Sequence, residues 1–171
     1  MTTAVATQAH ALTSPLPGVS DVAWRSFVRA VVTKDADEDG APGLRSLDAK
    51  SKSGGFGCFD IRPKRLLDLG IMRNLRRSTS SGGRQIYVGD FVPPMSERKF
   101  LYGPTQQSDT FVESMRRYDV AVSDADRPEG LSRSGVLALL HRAGMGGLSG
   151  WASGRRLANT VALVERANNL F

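Results

Sequence analysis

The sequence contains a single cysteine, Cys58, among its 171 residues. One cysteine excludes an internal disulfide and a zinc site built from several thiolates. No apolar run approaches the roughly eighteen residues that a membrane-spanning helix requires. The N-terminus has no basic stretch followed by an apolar core, so we expect no secretory signal. We therefore expect the chain to fold in a reducing cytoplasm and to have no membrane partner.

Acidic residues are in the minority, with 17 Asp and Glu against 23 Lys and Arg, which gives a formal net charge of +6. A basic protein attracts anionic partners, such as cell-wall polymer, nucleic acid or an acidic protein face, and the charge alone does not choose among them. The apolar fraction of 40% excludes a disordered composition. The length is suited to one domain with a substantial core.

The chain divides near residue 20. Residues 1–19 are rich in Thr, Ala, Ser and Pro and have no amphipathic period. Alone, a segment of this kind is expected to be mobile. We interpret it as an extended N-terminal arm that lies on a partner in a large assembly, and we interpret residues 20–171 as the folded domain.

Helical patterns dominate residues 20–171. The clearest is the stripe of Phe111, Met115, Tyr118 and Val122, which are spaced four, three and four residues apart. Helices are predicted from Ser20 to about Lys34, from Pro63 to Gly70, after Ser96, from Pro104, from Ser132 or Ser134 to a turn at Gly144–Gly150, and from Ser153 onward. A small β element is expected near residues 55–61 and 84–92. The predicted fold class is mainly α, of the α+β type.

The most informative motif is the glycine-rich run Gly55-Phe56-Gly57. Glycine lacks a Cβ, so its backbone can pass close to another group, and a sugar ring is one such group. An acidic cluster lies about twenty residues upstream, at the end of the first predicted helix, and consists of Asp35, Asp37, Glu38 and Asp39. A glycine-rich turn is predicted at His141–Gly147. Together the three segments suggest a sugar-binding cleft.

In this order the segments resemble the lysozyme-like superfamily of lytic transglycosylases and goose-type lysozymes, above all the muramidase-like domains of bacteriophage tails. The stretches that carry the resemblance are Glu38–Gly40, Gly55–Asp60, Leu66–Gly70, Leu101–Gln107 and Leu140–Gly146. The resemblance covers roughly residues 20–171. It implies a lysozyme-like domain that cleaves the glycan strands of peptidoglycan without a cofactor or a metal ion.

The same resemblance implies a location and partners. The protein is expected in the virion, as part of a phage tail or baseplate, with the N-terminal arm on neighbouring tail proteins. It would be made in the bacterial cytoplasm and would act in the periplasm and cell wall.

The site residues follow from the resemblance as well. Glu38 is the expected catalytic acid and base, and Asp35 is the alternative. The residues expected to bind the substrate are Gly55, Phe56, Gly57, Asp60, His141 and Arg142. The chain also departs from the family, because Asp60 replaces a Gln and His141-Arg142 replaces a Tyr-Asn pair. These departures leave a catalytically inactive, structural member of the family as the main alternative.

Cleavage of a glycosidic bond needs a carboxyl group that keeps its proton near neutral pH, which requires an apolar and partly desolvated setting. A glutamate has more reach than an aspartate, which favours Glu38. A transglycosylase uses one such acid, whereas a hydrolase benefits from a second carboxylate, for which Asp60 is the candidate.

Three further interpretations of the sequence stay open. The acidic cluster is also typical of a solvated loop at a helix end. Asp35, Asp37 and Asp39 match the first half of a calcium-binding EF-hand loop, although Ser46 stands where a bidentate Glu is expected. Residues 132–167 are compatible with a helix-turn-helix DNA reader, but the predicted turn is longer than the usual connection, so nucleic acid is not the expected partner.

Overall fold

A computed structural model describes residues 13–33, 43–122, 124–156 and 158–171. Within this part of the chain, two compact units are distinguished. Unit 1 is Leu44–Phe111, and unit 2 combines residues 13–33 and Gly43 with Val112–Phe171. Residues 1–12 of the predicted arm lie outside the described residues, and the interpretation of residues 1–19 as an arm stays a prediction.

The described residues form six α-helices, one short 3-10 helix and one two-stranded antiparallel sheet. The elements are α1 (Asp21–Val32), α2 (Pro63–Asp68), β1 (Met72–Thr79), β2 (Gln85–Phe91), α3 (Glu97–Leu101), α4 (Pro104–Ala121), a 3-10 turn (Asp124–Asp126), α5 (Arg133–Ala152) and α6 (Ala158–Ala167). This mixture confirms the α+β class at a coarse level, while the lysozyme-like topology stays a prediction.

Several helix boundaries agree with the sequence signals. The hydroxyl of Ser20 accepts a hydrogen bond from the backbone N–H of Ala23 and caps α1. Pro63 is the first residue of α2, and Gly70 follows its end with φ of +72°. Ser96 and Ser132 cap α3 and α5 in the same way as Ser20 caps α1. All four residues of the predicted stripe are buried: Phe111, Met115 and Tyr118 lie on α4, and Val122 directly follows it.

The β structure differs from the prediction. Strand β2 was expected, but its partner β1 was not, because six of the eight residues of β1 are polar or basic and hide the alternation of a half-buried strand. The β element expected near residues 55–61 consists of isolated antiparallel bridges, which join Phe56 to Lys50 and to Ile61, because the chain turns too sharply there to extend a ladder.

The core of unit 1 consists largely of aromatic rings. Phe59 and Phe111 are stacked with their ring centroids 4.4 Å apart. Phe56 contacts Phe91 edge to face at 5.6 Å, and Phe91 lies 5.7 Å from Phe100. These contacts fix the glycine-rich turn against the base of the β1–β2 ribbon and against α3, because each ring belongs to a different one of these segments.

The core of unit 2 is formed by α1, α5 and α6 together with the second part of α4. Trp24 and Phe27 on α1 are fully buried, and Phe27 contacts the C-terminal residue Phe171 at a centroid distance of 5.4 Å. The central residues of α5, from Ser134 to Leu140, are all buried. A helix that is buried around its whole circumference is surrounded by other elements.

Residues 13–19 pack within unit 2. Leu16 and Val19 are buried, and the backbone N–H of Ser14 donates to the carboxylate of Asp21 at 2.8 Å. Arg133 on α5 donates from Nη1 to the carbonyl of Pro17 at 2.9 Å. The last part of the segment that precedes α1 is therefore held by specific contacts.

The C-terminal third corrects two predictions. The turn predicted at Gly144–Gly150 is present only at its first residue: Gly144, with φ of +64°, separates α5 into two helical segments, and residues 145–150 are helical again. Ser153 does not begin the last helix; it ends α5, and α6 begins at Ala158. Glycine inside a helix costs about 0.5 to 1 kcal/mol, and burial of Leu148 and Trp151 on the second segment offsets this cost.

Candidate functional site

The glycine-rich turn of unit 1 is closed by its own backbone hydrogen bonds. Phe56 and Ile61 exchange both of their N–H···O bonds at 3.0 Å, and the N–H of Gly57 donates to the carbonyl of Ala49 at 2.7 Å. Gly57 and Asp60 both adopt left-handed backbone conformations, with φ of +71° and +52°. The turn is therefore an ordered part of unit 1 in which few residue types fit.

Side chains of the same chain occupy the space next to two of the glycines. A Cβ at Gly55 would overlap the carboxylate of Asp60, and a Cβ at Gly57 would overlap the carboxamide of Gln107. The close approach that the sequence analysis attributed to a sugar ring is thus made, at these two positions, by Asp60 and Gln107.

Gln107, on α4, is the central residue of this region and is fully buried. Its Nε2 lies within hydrogen-bonding distance of three backbone carbonyls, those of Leu47 at 2.9 Å and of Phe100 and Leu101 at 3.0 Å each. Its Oε1 accepts from the backbone N–H of Cys58 at 3.0 Å. One amide thereby connects the glycine-rich turn, the loop before it and the end of α3.

Asp60 is 4% exposed and pairs with Arg62, whose Nη2 lies 3.2 Å from Oδ2. The other terminal nitrogen of Arg62 donates to the carbonyl of Ser53 at 2.8 Å. The carboxylate of Asp60 is directed into the turn, where the guanidinium neutralises it. Its assignment as a supporting carboxylate for a substrate stays a prediction.

The predicted site residues fall in three places. Gly55, Phe56, Gly57 and Asp60 lie together in the glycine-rich turn of unit 1, with Phe56 buried in its core. His141 and Arg142 are half-buried residues of α5 in unit 2, ahead of the break at Gly144, and lie in a helix where a turn was predicted. The predicted catalytic residues, Glu38 and Asp35, lie outside the described residues.

An open groove of about 680 Å³ lies in unit 1 beside α3. Its walls are formed by Pro94, Met95, Ser96, Arg98, Lys99, Tyr102, Gly103 and Gln106. Tyr102 is 66% exposed, and Lys99 donates from Nζ to the carbonyl of Pro94 at 3.0 Å. The groove thus offers an aromatic face, two cations and a carboxamide, a combination suited to a polar, anionic chain molecule.

This groove was not predicted from the sequence. Its residues form no recognised motif, and they come together only because α3 is short and is followed directly by α4. The usable signal was the basic pair Arg98-Lys99 with Tyr102 three residues after Lys99.

The positive charge is concentrated in unit 1. Residues 44–111 contain twelve Lys and Arg and six Asp and Glu, whereas the rest of the chain contains eleven of each. The whole formal net charge of +6 therefore belongs to unit 1. The unit that carries both the glycine-rich turn and the groove is also the one that attracts anions.

In the part of the chain that the structure describes, no group of three or more His, Cys, Asp or Glu residues could hold a metal ion. The calcium interpretation of residues 35–46 lies mostly outside that part. No helix among the described residues is long and apolar enough to cross a membrane.

Comparisons with known proteins add no relative: no family model matches the chain, and no curated protein sequence or solved structure is significantly similar to it.

Proposed function

We propose that the protein cleaves the glycan strands of peptidoglycan as a component of a bacteriophage tail or baseplate. The proposal begins from the resemblance of five short segments to lysozyme-like muramidase domains. In it, Glu38 is the acid that protonates the glycosidic oxygen and then acts as a base, and Asp35 is the alternative acid. Peptidoglycan and neighbouring tail proteins are the partners.

The observation that carries the proposal is the hydrogen bond between Gln107 and the glycine-rich turn. Gly55–Asp60 and Leu101–Gln107 both carry the resemblance, and they are far apart in the sequence. Oε1 of Gln107 accepts from the N–H of Cys58, and its carboxamide fills the space beside Gly57. Two matched motifs that interlock in this way support a common origin better than either motif does alone.

The charge distribution supports the same substrate class. Peptidoglycan carries carboxylates on its peptide side chains, and the net positive charge lies on unit 1. The groove beside α3 adds Tyr102, Arg98 and Gln106, which are suited to stacking on a sugar ring and to hydrogen bonding with hydroxyl and carboxylate groups.

Cell-wall cleavage by purified variants tests the proposal. We expect the wild-type protein to clear a zymogram of purified cell wall, and we expect Glu38→Gln to lower the rate by about 10²-fold to 10⁴-fold, the usual contribution of a general acid. Asp39→Asn is the matched control, because it removes one charge from the same cluster. Clearing by Glu38→Gln at the wild-type rate, with loss in Asp35→Asn, would transfer the acid role to Asp35.

The second candidate is a structural tail protein without enzymatic activity. The position of Asp60 favours it, because a carboxylate that is 4% exposed and paired with Arg62 is not available to a substrate. A wild-type protein that co-purifies with virions and fails to clear cell wall would establish this alternative. The helix-turn-helix interpretation of residues 132–167, a stretch with five arginines and one glutamate, stays a prediction.

A further inference from the structure

One wall of the groove beside α3 comes from a nearly continuous helical stretch. Arg98, Tyr102 and Gln106 are spaced four residues apart, and all three line the groove and are exposed. The backbone N–H of Tyr102 donates to the carbonyl of Arg98 at 3.0 Å. One turn later, the N–H of Gln107 donates to the carbonyl of Gly103 at 3.1 Å. Residues four positions apart on a helix share a face, so the three side chains follow one another along the same wall.

The backbone and polar groups between these side chains complete the wall. A Cβ at Gly103 would overlap the carboxamide of Gln106 and the backbone carbonyl of Lys99. The carboxamide of Gln106 therefore lies over Gly103, where it offers both a donor and an acceptor to a ligand. Lys99 connects the wall to the loop before α3, because its Nζ donates to the carbonyl of Pro94 at 3.0 Å. An ammonium has three donors, so Lys99 can also donate to a ligand.

The groove is positively charged. Arg98 and Lys99 line it, and none of the described residues that line it is acidic. Within the part of the chain that the structure describes, the guanidinium of Arg98 has no ion-pair partner. The neighbouring acid, Glu97, is engaged elsewhere, since its Oε1 lies 3.0 Å from Nζ of Lys50. The groove is therefore suited to a ligand that carries a negative charge.

Tyr102 gives the groove an aromatic surface as well. Its side chain is 66% exposed, against 42% for Tyr87 on β2. The C–H groups of a sugar ring form an apolar face, and an exposed tyrosine ring packs on such a face while its hydroxyl stays in water. The wall thus matches a ligand that combines a ring with an apolar face, hydrogen-bonding groups and a carboxylate.

We propose that the groove binds one sugar of the glycan strand together with a carboxylate of the peptide attached to it. The inference rests on the proposed function, because it takes its polymer from there, and it adds which part of the polymer is recognised. Tyr102 packs on the sugar ring, and Gln106 bonds to hydroxyl or amide groups of the sugar. Arg98 binds the carboxylate, because its planar fork of N–H donors matches both carboxylate oxygens. None of these three residues belongs to the predicted site.

Titration calorimetry with soluble fragments tests the inference. The probe is a disaccharide-peptide released from purified peptidoglycan, used in its natural form and with its carboxylates converted to amides. The wild-type protein should bind the natural fragment about fivefold more tightly than the amidated one, since an exposed ion pair contributes modestly. Absence of binding to the natural fragment, or equal affinity for the two fragments, would overturn the inference.

Two substitutions separate the roles of the charge and the ring. Arg98→Gln should weaken binding of the natural fragment about fivefold and leave binding of the amidated fragment unchanged. Tyr102→Ala should weaken binding of both fragments about tenfold, whereas Tyr102→Phe should retain it because the ring is kept. An equal loss for both fragments in Arg98→Gln, or no loss in Tyr102→Ala, would contradict the proposed contacts.

The matched controls are Arg77→Gln and Tyr87→Ala, which remove the same side chains from exposed positions of the β1–β2 ribbon in unit 1. Both variants should bind the natural fragment as the wild type does. Losses equal to those of the groove variants would reduce the effect to net charge or to aromatic surface in general, and would overturn the inference. Tighter binding to a single-stranded oligonucleotide than to the natural fragment would overturn it too. Circular dichroism should show that all variants fold, since the replaced side chains are exposed.

The outcome separates the two proposals. Binding that depends on Arg98 and Tyr102, in a wild-type protein that clears no cell wall, would retain the groove and reject the enzyme. Clearing of cell wall by a protein whose fragment binding is insensitive to both substitutions would retain the enzyme and reject the groove.

Discussion

Gln107 and Cys58 are 49 positions apart in the chain and are joined by a hydrogen bond of 3.0 Å from the backbone N–H of Cys58 to the side-chain oxygen. The same side chain bonds to three backbone carbonyls through its nitrogen. This buried amide bonds to backbone groups through both its oxygen and its nitrogen, and it thereby holds three segments in place. Each lost bond would leave a buried polar group without a partner.

We predict that Gln107→Leu lowers the free energy of unfolding by about 3 to 5 kcal/mol, because it leaves several buried backbone groups unsatisfied. Denaturation in urea measures this change. Gln106→Leu is the control, since Gln106 is exposed, and it should change stability by less than about 1 kcal/mol. Equal stability of the two variants would contradict the role of Gln107 as a connector.

Two glycines with nearly the same backbone conformation make a matched pair. Gly57 has φ of +71° and Gly70 has φ of +72°, but a Cβ at Gly57 meets Gln107 whereas a Cβ at Gly70 meets nothing within 4 Å. Gly70→Ala should cost about 1 to 2 kcal/mol from backbone strain alone. Gly57→Ala should cost clearly more, about 3 kcal/mol or above. Similar midpoints of thermal unfolding for Gly57→Ala and Gly70→Ala would show that the side chain of Gln107 can move to make room for a Cβ at residue 57.

Asp60→Ala should destabilise the protein by about 3 kcal/mol, because it leaves Arg62 without its buried partner and places alanine at positive φ. Asp60→Asn should cost less, since asparagine tolerates the left-handed conformation and retains an acceptor. Asp48→Asn, at an exposed position, is the control. If Asp60→Asn lost cell-wall binding at unchanged stability, a direct role of Asp60 toward the substrate would gain support.

The pKa of Asp90 is lowered from its ordinary value of 3.8, mainly by the hydrogen bond from Asn74 and further by the charge of Arg76. The ionised form therefore favours the folded state above the unfolded pKa, and this contribution is lost as the pH falls through the folded pKa. NMR titration should give a pKa below 3.8 for the wild type. Asn74→Ala should raise it more than Arg76→Gln does. A larger rise of the Asp90 pKa in Arg76→Gln than in Asn74→Ala would show that the charge of Arg76 is the main cause of the lowered pKa.

Local signals in the sequence were sufficient for most helices. Ser20, Pro63 and Ser96 mark helix starts through backbone chemistry that acts within one turn, and the structure has helices at all three. Strand β1 was missed because Arg73, Arg76 and Arg77 are all exposed, and this distribution does not give the alternation of apolar and polar residues that marks a strand.

The candidate site was harder to predict, because long-range packing decides it. The glycine motif was correctly identified as a place of close approach, but the sequence could not indicate that Gln107 and Asp60 fill the space. Glycine interrupts α5 at Gly144, as its role as a helix breaker predicts, but Gly146, Gly147 and Gly150 lie within the helical segment that follows.

The confinement of the net charge to unit 1 affects how the molecule moves before any contact is made. An electric field therefore acts on unit 1 more strongly than on unit 2, in which basic and acidic residues are equal in number. At 0.1 M salt this long-range attraction to an anion extends only about 10 Å from the surface. A rise in salt concentration should therefore slow the association of unit 1 with any anionic partner.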